Sequence, residues 1–159
     1  PIMARMGLDR MPDNVWLGCT LEDHRVADRS AILAAVPARI RFLSCEPITA
    51  RVGPLQLAGI HWVITGGESG KRPRICDPAW VREVRDQCVA QRVPLFHKQW
   101  GTYASNPLVF EQWRSREEAE ALDPPSNGKG GGLLDGRLWR EFPETLAPKP
   151  PQAAPHKLL

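Results

Sequence analysis

Four short stretches of this sequence change abruptly from apolar residues to small or functional polar residues, and this recurrence constrains the fold more than any single residue does. They span residues 15–20, 40–47, 61–69 and 94–101. Each pattern predicts a buried strand that ends in polar residues. The strand starts are 25, 21 and 33 residues apart, close to the length of a strand–helix–strand unit. Parallel strands joined by crossover connections are therefore expected.

The segments between the strands differ in their patterns. Residues 25–36 have an apolar, alanine-rich side that Pro37 stops, which predicts a helix. Residues 48–59 contain a proline and lack a helical period, so an irregular or extended piece is expected. The third segment is the clearest, because Asp77 can cap a helix over residues 78–91 whose apolar residues recur at three and four positions.

The pattern changes after the fourth strand. Residues 117–122 suggest a short helix, and residues 123–132, rich in glycine and proline, suggest a flexible loop. Asp135 and Gly136 predict a tight turn between short ordered pieces. Residues 147–159 are rich in proline and alanine with little to bury, and a disordered tail is predicted there.

These patterns predict an α/β fold: a partial (βα) barrel of about four parallel strands with crossover helices, followed by an irregular carboxy-terminal extension. The half-barrel domain spans residues 1–103, the extension packing on it residues 104–146, and the tail residues 147–159. Parallel sheets are normally covered on both faces or closed into barrels. The strands therefore pair with an amino-terminal half, or with a second copy of the chain, or form a small open sheet with helices on both faces.

Composition excludes several classes of protein. The net charge of +3 is mild for a dedicated nucleic-acid binder. No apolar run approaches the roughly 20 residues of a membrane-spanning helix, and no signal pattern opens the chain, so a cytoplasmic protein without membrane partners is expected. The cysteines, at 19, 45, 76 and 88, have neither zinc-pair nor cluster-triplet spacing. They are predicted to be structural thiols, and no metal site is expected in this chain.

Candidate functional residues lie where the predicted strands end. The carboxyl ends of parallel strands share one edge, so eight side chains should converge there: Glu22, Ser44, Cys45, Glu46, Glu68, Ser69, Lys98 and Gln99. Glu46, fixed in extended geometry by the following proline, can accept a proton or bind an ammonium group. Alternatively, it ends the strand in a turn and bonds to backbone amides or an arginine.

A glycine-rich segment after the third strand is the strongest single motif. Gly66, Gly67 and Gly70 flank Glu68 and Ser69, and glycines permit a ligand to approach the backbone closely. A phosphate cradle is disfavoured, because Glu68 is acidic and the phosphate-loop spacing is absent. The structural alternative is a tight turn between the strand and its loop.

The fourth strand ends in a cation, an amide and an aromatic ring. Lys98, Gln99 and Trp100 form a set that can bind a carboxylate or phosphate and stack a planar ring. Alternatively, Lys98 pairs with Glu46 or Glu68 and Trp100 belongs to the core.

Two further groups of residues have candidate roles. His24 and His97 are candidate acid–base groups without an assigned partner. Lys71, Arg72 and Arg74 follow the glycine-rich segment and can contact phosphate, although three charges in a loop are usually only a solvated face.

The ordered motifs resemble a known family. The segments 14–18, 39–47, 62–70, 98–101 and 134–139 are similar to the phage-associated gp thirty-seven/sixty-eight family, a radical-SAM-like group of unknown function, over roughly residues 14–143. The resemblance implies that this chain corresponds to the carboxy-terminal half of a TIM-barrel-like protein whose first half carries a cysteine triplet for an iron–sulfur cluster. This chain lacks that triplet.

The resemblance also implies a site. Ser44, Glu46, Glu68 and Lys98, with the neighbouring Gly66, Gly67 and Ser69, would line the open end of the barrel facing S-adenosylmethionine and a substrate. No cofactor is expected to bind this chain alone, and little activity is expected from it. The competing hypothesis is a non-catalytic nucleotide- or nucleic-acid-binding module, a truncated prophage remnant that dimerises through its half barrel.

Overall fold

Four parallel strands form the main sheet of this protein. The computed structural model describes residues 7 and 9–144, and the predicted tail, residues 147–159, lies outside the described residues. The strands are β1 (Trp16–Thr20), β2 (Ile40–Cys45), β3 (Trp62–Gly66) and β4 (Leu95–Gln99), adjacent in the sheet in chain order. In the register of the sheet, Leu43 of β2 lies beside Cys19 of β1 and Val63 of β3, and Val63 lies beside Leu95 of β4. The predicted α/β fold with parallel strands is confirmed.

The first crossover is shorter than the helix predicted over residues 25–36. It contains a 3₁₀ turn, His24–Val26, and then a short helix, α1 (Arg29–Ala34). The break has a local cause, because the side chain of Asp23 accepts a hydrogen bond from the Arg25 N–H and caps a separate 3₁₀ turn. The single-helix prediction was therefore wrong at its amino-terminal end.

The other two crossovers match their predictions. Helix α2 (Pro78–Gln91) begins at Asp77, whose carboxylate accepts a hydrogen bond from the Ala79 N–H at 2.8 Å. The connection between β2 and β3 is irregular, as expected. Side-chain amides of α2 stabilise this connection, because Gln87 accepts from the Leu55 N–H at 2.7 Å and donates to the Gly53 carbonyl at 3.1 Å.

The two faces of the sheet differ sharply. One face carries the core, to which both crossover helices contribute: Leu33 from α1, Val81, Val84 and Cys88 from α2, and Leu43, Val63 and Leu95 from the strands. The other face is aromatic. Trp16, Phe42 and Phe96 surround Trp62 with ring centroids 5.9–6.1 Å from its ring.

In the described part of the chain, no helix covers this aromatic face. Phe142 and Arg140, from the carboxy-terminal segment, lie over its β4 side, and Phe142 is still 48% exposed. Within the described residues, the helices that pack on this sheet therefore lie on its core face.

The two edges of the sheet also differ. The outer edge of β4 is paired with residues 139–141: the His97 N–H donates to the Trp139 carbonyl at 2.9 Å, and the Glu141 N–H to the Leu95 carbonyl at 3.0 Å. No strand lies beside the outer edge of β1 within the described residues. The sheet is therefore closed to further strands at β4 and open at β1.

The carboxy-terminal extension is built from short elements. They are α3 (Pro107–Phe110), α4 (Arg116–Leu122), and a hairpin of β5 (Leu133–Leu134) and β6 (Arg137–Leu138). Ser115 and Glu118 form a capping box that starts α4. The hairpin turns at Asp135 and Gly136, whose φ angles are both positive, as the tight turn requires. The predicted short helix and the predicted turn are confirmed.

Residues 123–132 form a loop, as predicted, which contains one 3₁₀ turn (Pro125–Asn127) and is held by buried hydrogen bonds. Asp123 is fully buried and accepts four hydrogen bonds, at 2.9–3.0 Å, from Asn106 Nδ2, Asn127 Nδ2, Gly132 N–H and Leu133 N–H. Its own carbonyl accepts from the Tyr103 hydroxyl at 2.8 Å. Because one carboxylate collects donors from several segments, this loop is fixed by tertiary contacts.

All four cysteines are free thiols, as predicted. Burial raises the pKa of Cys76 and Cys88 to about 12, so these thiols stay protonated at neutral pH. The described residues include no helix whose length and hydropathy would suit a membrane crossing.

His97, a candidate acid–base residue, is instead a neutral core residue. Its ring is fully buried, stacks at 4.5 Å from the ring of Trp100, and lies with Nδ1 3.0 Å from the Thr65 hydroxyl. Burial, aided by the charge of Arg140, lowers the pKa of His97 to about 3. The prediction that Trp100 belongs to the core is also correct, since its ring is fully buried.

Acid should destabilise the protein through His97. The unfolded imidazole takes up a proton near its ordinary pKa of 6.5 and the folded one does not, so the unfolded state binds more protons and stability falls as pH drops below 6.5. Between about pH 7 and about pH 5 this contributes a loss of about 2 kcal/mol. Urea-induced unfolding at these two pH values measures this loss of stability. His97→Gln, which keeps a partner for Thr65, should remove that part of the pH dependence; equal slopes would contradict the assignment.

Candidate functional site

Three of the residues expected at the carboxyl edge meet there. Glu46, after β2, lies beside Lys98 of β4, with Nζ 3.1 Å from Oε1 and 3.3 Å from Oε2. Gln99 donates from Nε2 to Glu46 Oε1 at 3.2 Å. The pairing of Lys98 with Glu46, predicted as the structural alternative, is therefore present. Both side chains remain accessible, with 57% of Lys98 and 20% of Glu46 exposed.

Gln99 anchors this group from beneath. Its side chain is buried, and Nε2 also donates to the Gly67 carbonyl at 2.9 Å. Its Oε1 atom is buried without a hydrogen-bond partner among the described residues. Gln99 therefore contributes to the group through its Nε2 atom, which holds the Glu46 carboxylate.

Gly66 and Gly67 lack side chains, and other parts of the protein fill the space that a Cβ atom would take. A Cβ atom on Gly66 would lie 3.0 Å from the Glu46 side chain, and one on Gly67 would lie 2.0 Å from the Trp100 carbonyl oxygen. The opposite loop is equally close, because a Cβ atom on Gly101 would lie 2.0 Å from the Glu68 carbonyl oxygen. The loops after β3 and β4 thus touch backbone to backbone, a close approach that only glycine permits.

Glu68 turns away from Glu46 and holds its own loop. Its carboxylate accepts from Arg74 at three positions: the backbone N–H at 2.7 Å, Nε at 2.9 Å and Nη2 at 2.7 Å. These hydrogen bonds lower the pKa of Glu68 to about 2, so it stays ionised at neutral pH and cannot serve as a general acid. Ser69, beside it, is exposed.

The remaining expected residues do not join the group. Strand alternation places Ser44 on the aromatic face, half-buried, on the same side as Glu46 and Lys98. Cys45 is buried in the core, and burial raises the pKa of its thiol. Glu22 forms an ion pair with Arg29, with Oε2 3.6 Å from Nη1. His24, the first residue of the 3₁₀ turn, is exposed. The expected convergence of eight side chains was therefore only partly correct.

Sequence reasoning missed two structural partners. Arg74 was predicted to contact phosphate or to belong to a solvated face, although an acid six residues earlier in the same glycine-containing loop was a signal for an ion pair. The sequence next to Asp123 does not indicate its buried role, because its hydrogen-bond donors come from residues 106, 127, 132 and 133.

A cleft of about 680 Å³ lies at the same edge of the sheet, between the loop after β3 and the carboxy-terminal extension. Gly70 and Gly101 line it from the sheet side, and Arg116 and Lys129 from the extension. The cleft therefore offers space for a small molecule beside the glycine-rich loop.

The described residues do not provide a metal site. Across residues 7 and 9–144, no three His, Cys, Asp or Glu side chains are grouped so that they could hold a metal ion. Three of the cysteines, Cys45, Cys76 and Cys88, are buried. The residues present therefore do not fit an iron–sulfur cluster.

Comparison with known proteins gives one match. A family model described as a protein of unknown function, DUF5131, matches residues 2–143. Comparisons with curated proteins and with solved structures find no match. The match covers most of the chain and includes the four strands, the carboxyl-edge group and the extension. The chain belongs to the DUF5131 family of proteins of unknown function.

Proposed function

We propose that this chain is the carboxy-terminal half of a phage-associated, radical-SAM-like barrel protein and that its carboxyl edge binds the amino-acid end of S-adenosylmethionine. The observation that carries the proposal is the group formed by Glu46, Lys98 and Gln99. It combines a carboxylate, a cation and the amide group that positions the carboxylate, at one edge of a parallel sheet. This is the edge at which α/β proteins commonly bind ligands.

The chemistry of the group suits a zwitterion. The Glu46 carboxylate accepts from an ammonium group, and Lys98 can exchange its contact with Glu46 for a ligand carboxylate. Ser44, on the same face of the sheet as Glu46 and Lys98, provides a polar group for the rest of the ligand. Gly66 assists indirectly, because its missing Cβ leaves space for the Glu46 side chain.

We do not propose that the described residues hold an iron–sulfur cluster. Their cysteines do not fit it, so no chemical step is assigned to this chain. In the proposal, the chain supplies cofactor and substrate contacts, and the cluster belongs to an amino-terminal half barrel. Radical chemistry by this chain alone is not expected.

Replacing Glu46 by glutamine should weaken binding of S-adenosylmethionine at least about tenfold, because one charge-assisted hydrogen bond to the ammonium group is lost. Isothermal titration calorimetry measures the affinity. S-adenosylhomocysteine, which keeps the amino-acid end, should bind and show the same loss. Adenosine, which lacks that end, should be insensitive to the substitution.

Glu83→Gln is the matched control. Glu83 also pairs with a cation, Arg51 at 2.8 Å, but it lies on α2, which packs against the core face of the sheet. Its substitution should leave the affinity unchanged. Absence of binding to the wild-type chain, or equal effects of both variants, would contradict the proposal.

Nucleic acid is the weaker alternative, because two of the four relevant cations are already paired. Arg74 is held by Glu68 and Lys98 by Glu46. Lys71 and Arg72 are exposed in the same loop. Binding to single-stranded DNA that weakens steeply with salt would favour this alternative over a small zwitterionic ligand.

A further inference from the structure

The cleft between the loop after β3 and the carboxy-terminal extension has more positive than negative charge. Arg116 and Lys129 line it together with one carboxylate, Glu120, which forms an ion pair with Arg116 (Nε to Oε1, 2.8 Å). Lys129 is exposed, and the ion pairs formed among the described residues do not include it. The charges that line the cleft therefore favour an anionic ligand.

Glu68, whose charge made a phosphate cradle unfavourable in the sequence, does not oppose an anion in the folded protein. Its carboxylate accepts three hydrogen bonds from Arg74 and is neutralised by that guanidinium. Lys71 and Arg72, which lie between these two residues in the chain, are exposed. The loop after β3 therefore adds positive charge beside the cleft.

Backbone donors also line the cleft. Gly70, Gly101 and Gly130 belong to its lining, and no backbone carbonyl of the described residues accepts a hydrogen bond from their N–H groups. Gly101 and Gly130 lie in close backbone contact with neighbouring loops: an added Cβ atom would lie 2.0 Å from the Glu68 carbonyl oxygen at Gly101, and 2.4 Å from the Thr102 carbonyl carbon at Gly130. These contacts hold the donors in place before a ligand binds, which reduces the entropy cost of binding.

We propose that this cleft binds the phosphate group of a small phosphorylated molecule. A phosphate group carries about two negative charges near neutral pH and has several acceptor oxygens. It can therefore pair with Lys129 and Arg116 and accept from backbone N–H groups at the same time, whereas a carboxylate has fewer acceptor sites and a smaller charge. Apolar residues of the lining, Pro73 and Val109 among them, provide a surface for the rest of the molecule.

The size and charge of the cleft favour a small ligand over nucleic acid. Its volume of about 680 Å³ is typical of small-molecule sites. The net charge of the chain, +3, is low for a protein that binds a phosphate backbone. The inference does not rest on the proposed binding of S-adenosylmethionine, because Glu46, Lys98 and Gln99 do not line the cleft.

Lys129→Ala tests the proposal, with inorganic pyrophosphate as the probe. Isothermal titration calorimetry at low ionic strength should give a dissociation constant below about 1 mM for the wild type. The variant should bind at least about tenfold more weakly, because a charge-assisted hydrogen bond is lost. Arg39→Ala is the matched control. It removes the same charge from an exposed residue just before β2, at the opposite end of the sheet, and should leave the affinity unchanged.

Glu120→Gln should have the opposite effect. It removes the one carboxylate of the lining and frees Arg116 for the ligand, so pyrophosphate should bind at least about threefold more tightly. An ion pair at this spacing on a helix surface contributes little to stability, and the variant should fold like the wild type. A purely structural role of Glu120 predicts no gain, so an unchanged affinity would contradict the proposal.

Other results would also overturn the proposal. They are no binding of pyrophosphate to the wild type below about 1 mM, or equal losses for Lys129→Ala and Arg39→Ala. A single-stranded oligonucleotide that displaces pyrophosphate, with affinity that falls steeply with salt, would assign the cleft to nucleic acid instead. Pyrophosphate has no amino-acid end, so failure of S-adenosylmethionine to bind would be a separate result.

Discussion

Replacing Asp123 by asparagine is expected to lower the free energy of unfolding by about 3–5 kcal/mol, which is a large fraction of the stability of a domain of this size. The four donors that now point at two carboxylate oxygens would face one oxygen and one NH₂ group. Two donors would then lack an acceptor in a fully buried site. Because asparagine has nearly the same shape as aspartate, the loss reports hydrogen bonding and charge rather than a cavity.

Urea-induced unfolding, followed by tryptophan fluorescence, measures this loss. Glu117→Gln is the matched control, because Glu117 lies on α4, the helix that ends just before Asp123, and is exposed. Its effect should stay within about 0.5 kcal/mol. A loss below about 1 kcal/mol for Asp123→Asn would show that the extension does not depend on this carboxylate.

The second large effect is expected from Gly67→Ala. The new Cβ would lie 2.0 Å from the Trp100 carbonyl oxygen, and only movement of the backbone can relieve this contact. That movement also strains the hydrogen bond from the Gly67 N–H to the Gln99 carbonyl, now 2.9 Å. Overpacking together with the weakened bond should cost about 3 kcal/mol, measured as a lower midpoint in urea.

Gly66→Ala is the informative comparison, because the two glycines are adjacent in sequence. Its Cβ would meet the side chain of Glu46 at 3.0 Å, and that partly exposed side chain can rotate away. The stability loss should therefore stay below about 1 kcal/mol, while the Glu46–Lys98 contact is disturbed. Equal losses for both variants would show that the backbone contact with Trp100 is not the limiting feature.

The glycine-rich segment after β3, residues 66–70, has a structural role in the folded protein. The sequence left open whether its glycines admit a ligand or form a tight turn. In the structure, Gly67 and Gly101 bring two loops into backbone contact, and this contact fixes Gln99 beneath Glu46. Ligand binding in the proposed site would therefore depend on Gly67 only through the position of Gln99.

Part of the candidate site could be predicted from the sequence. Glu46, Lys98 and Gln99 follow predicted strands, and the rule that parallel strands end at one edge brings them together. The same rule could not predict that Glu68 would turn to Arg74, because that choice is made by the loop after β3. Nor could it predict that Cys45 points into the core and Glu22 toward Arg29.

The sequence by itself determined the elements that depend on near neighbours. Apolar runs and their spacing specified four parallel strands, Asp77 and Pro78 specified the start of α2, and Asp135 and Gly136 specified the hairpin turn. Hydrophobic period, caps and turn chemistry are local properties, so they can be seen in a single sequence. The aromatic face of the sheet, the cover on the edge of β4 and the buried carboxylate of Asp123 were decided only by the tertiary structure. Each of them depends on contacts between residues far apart in the chain, and no local pattern encodes such contacts.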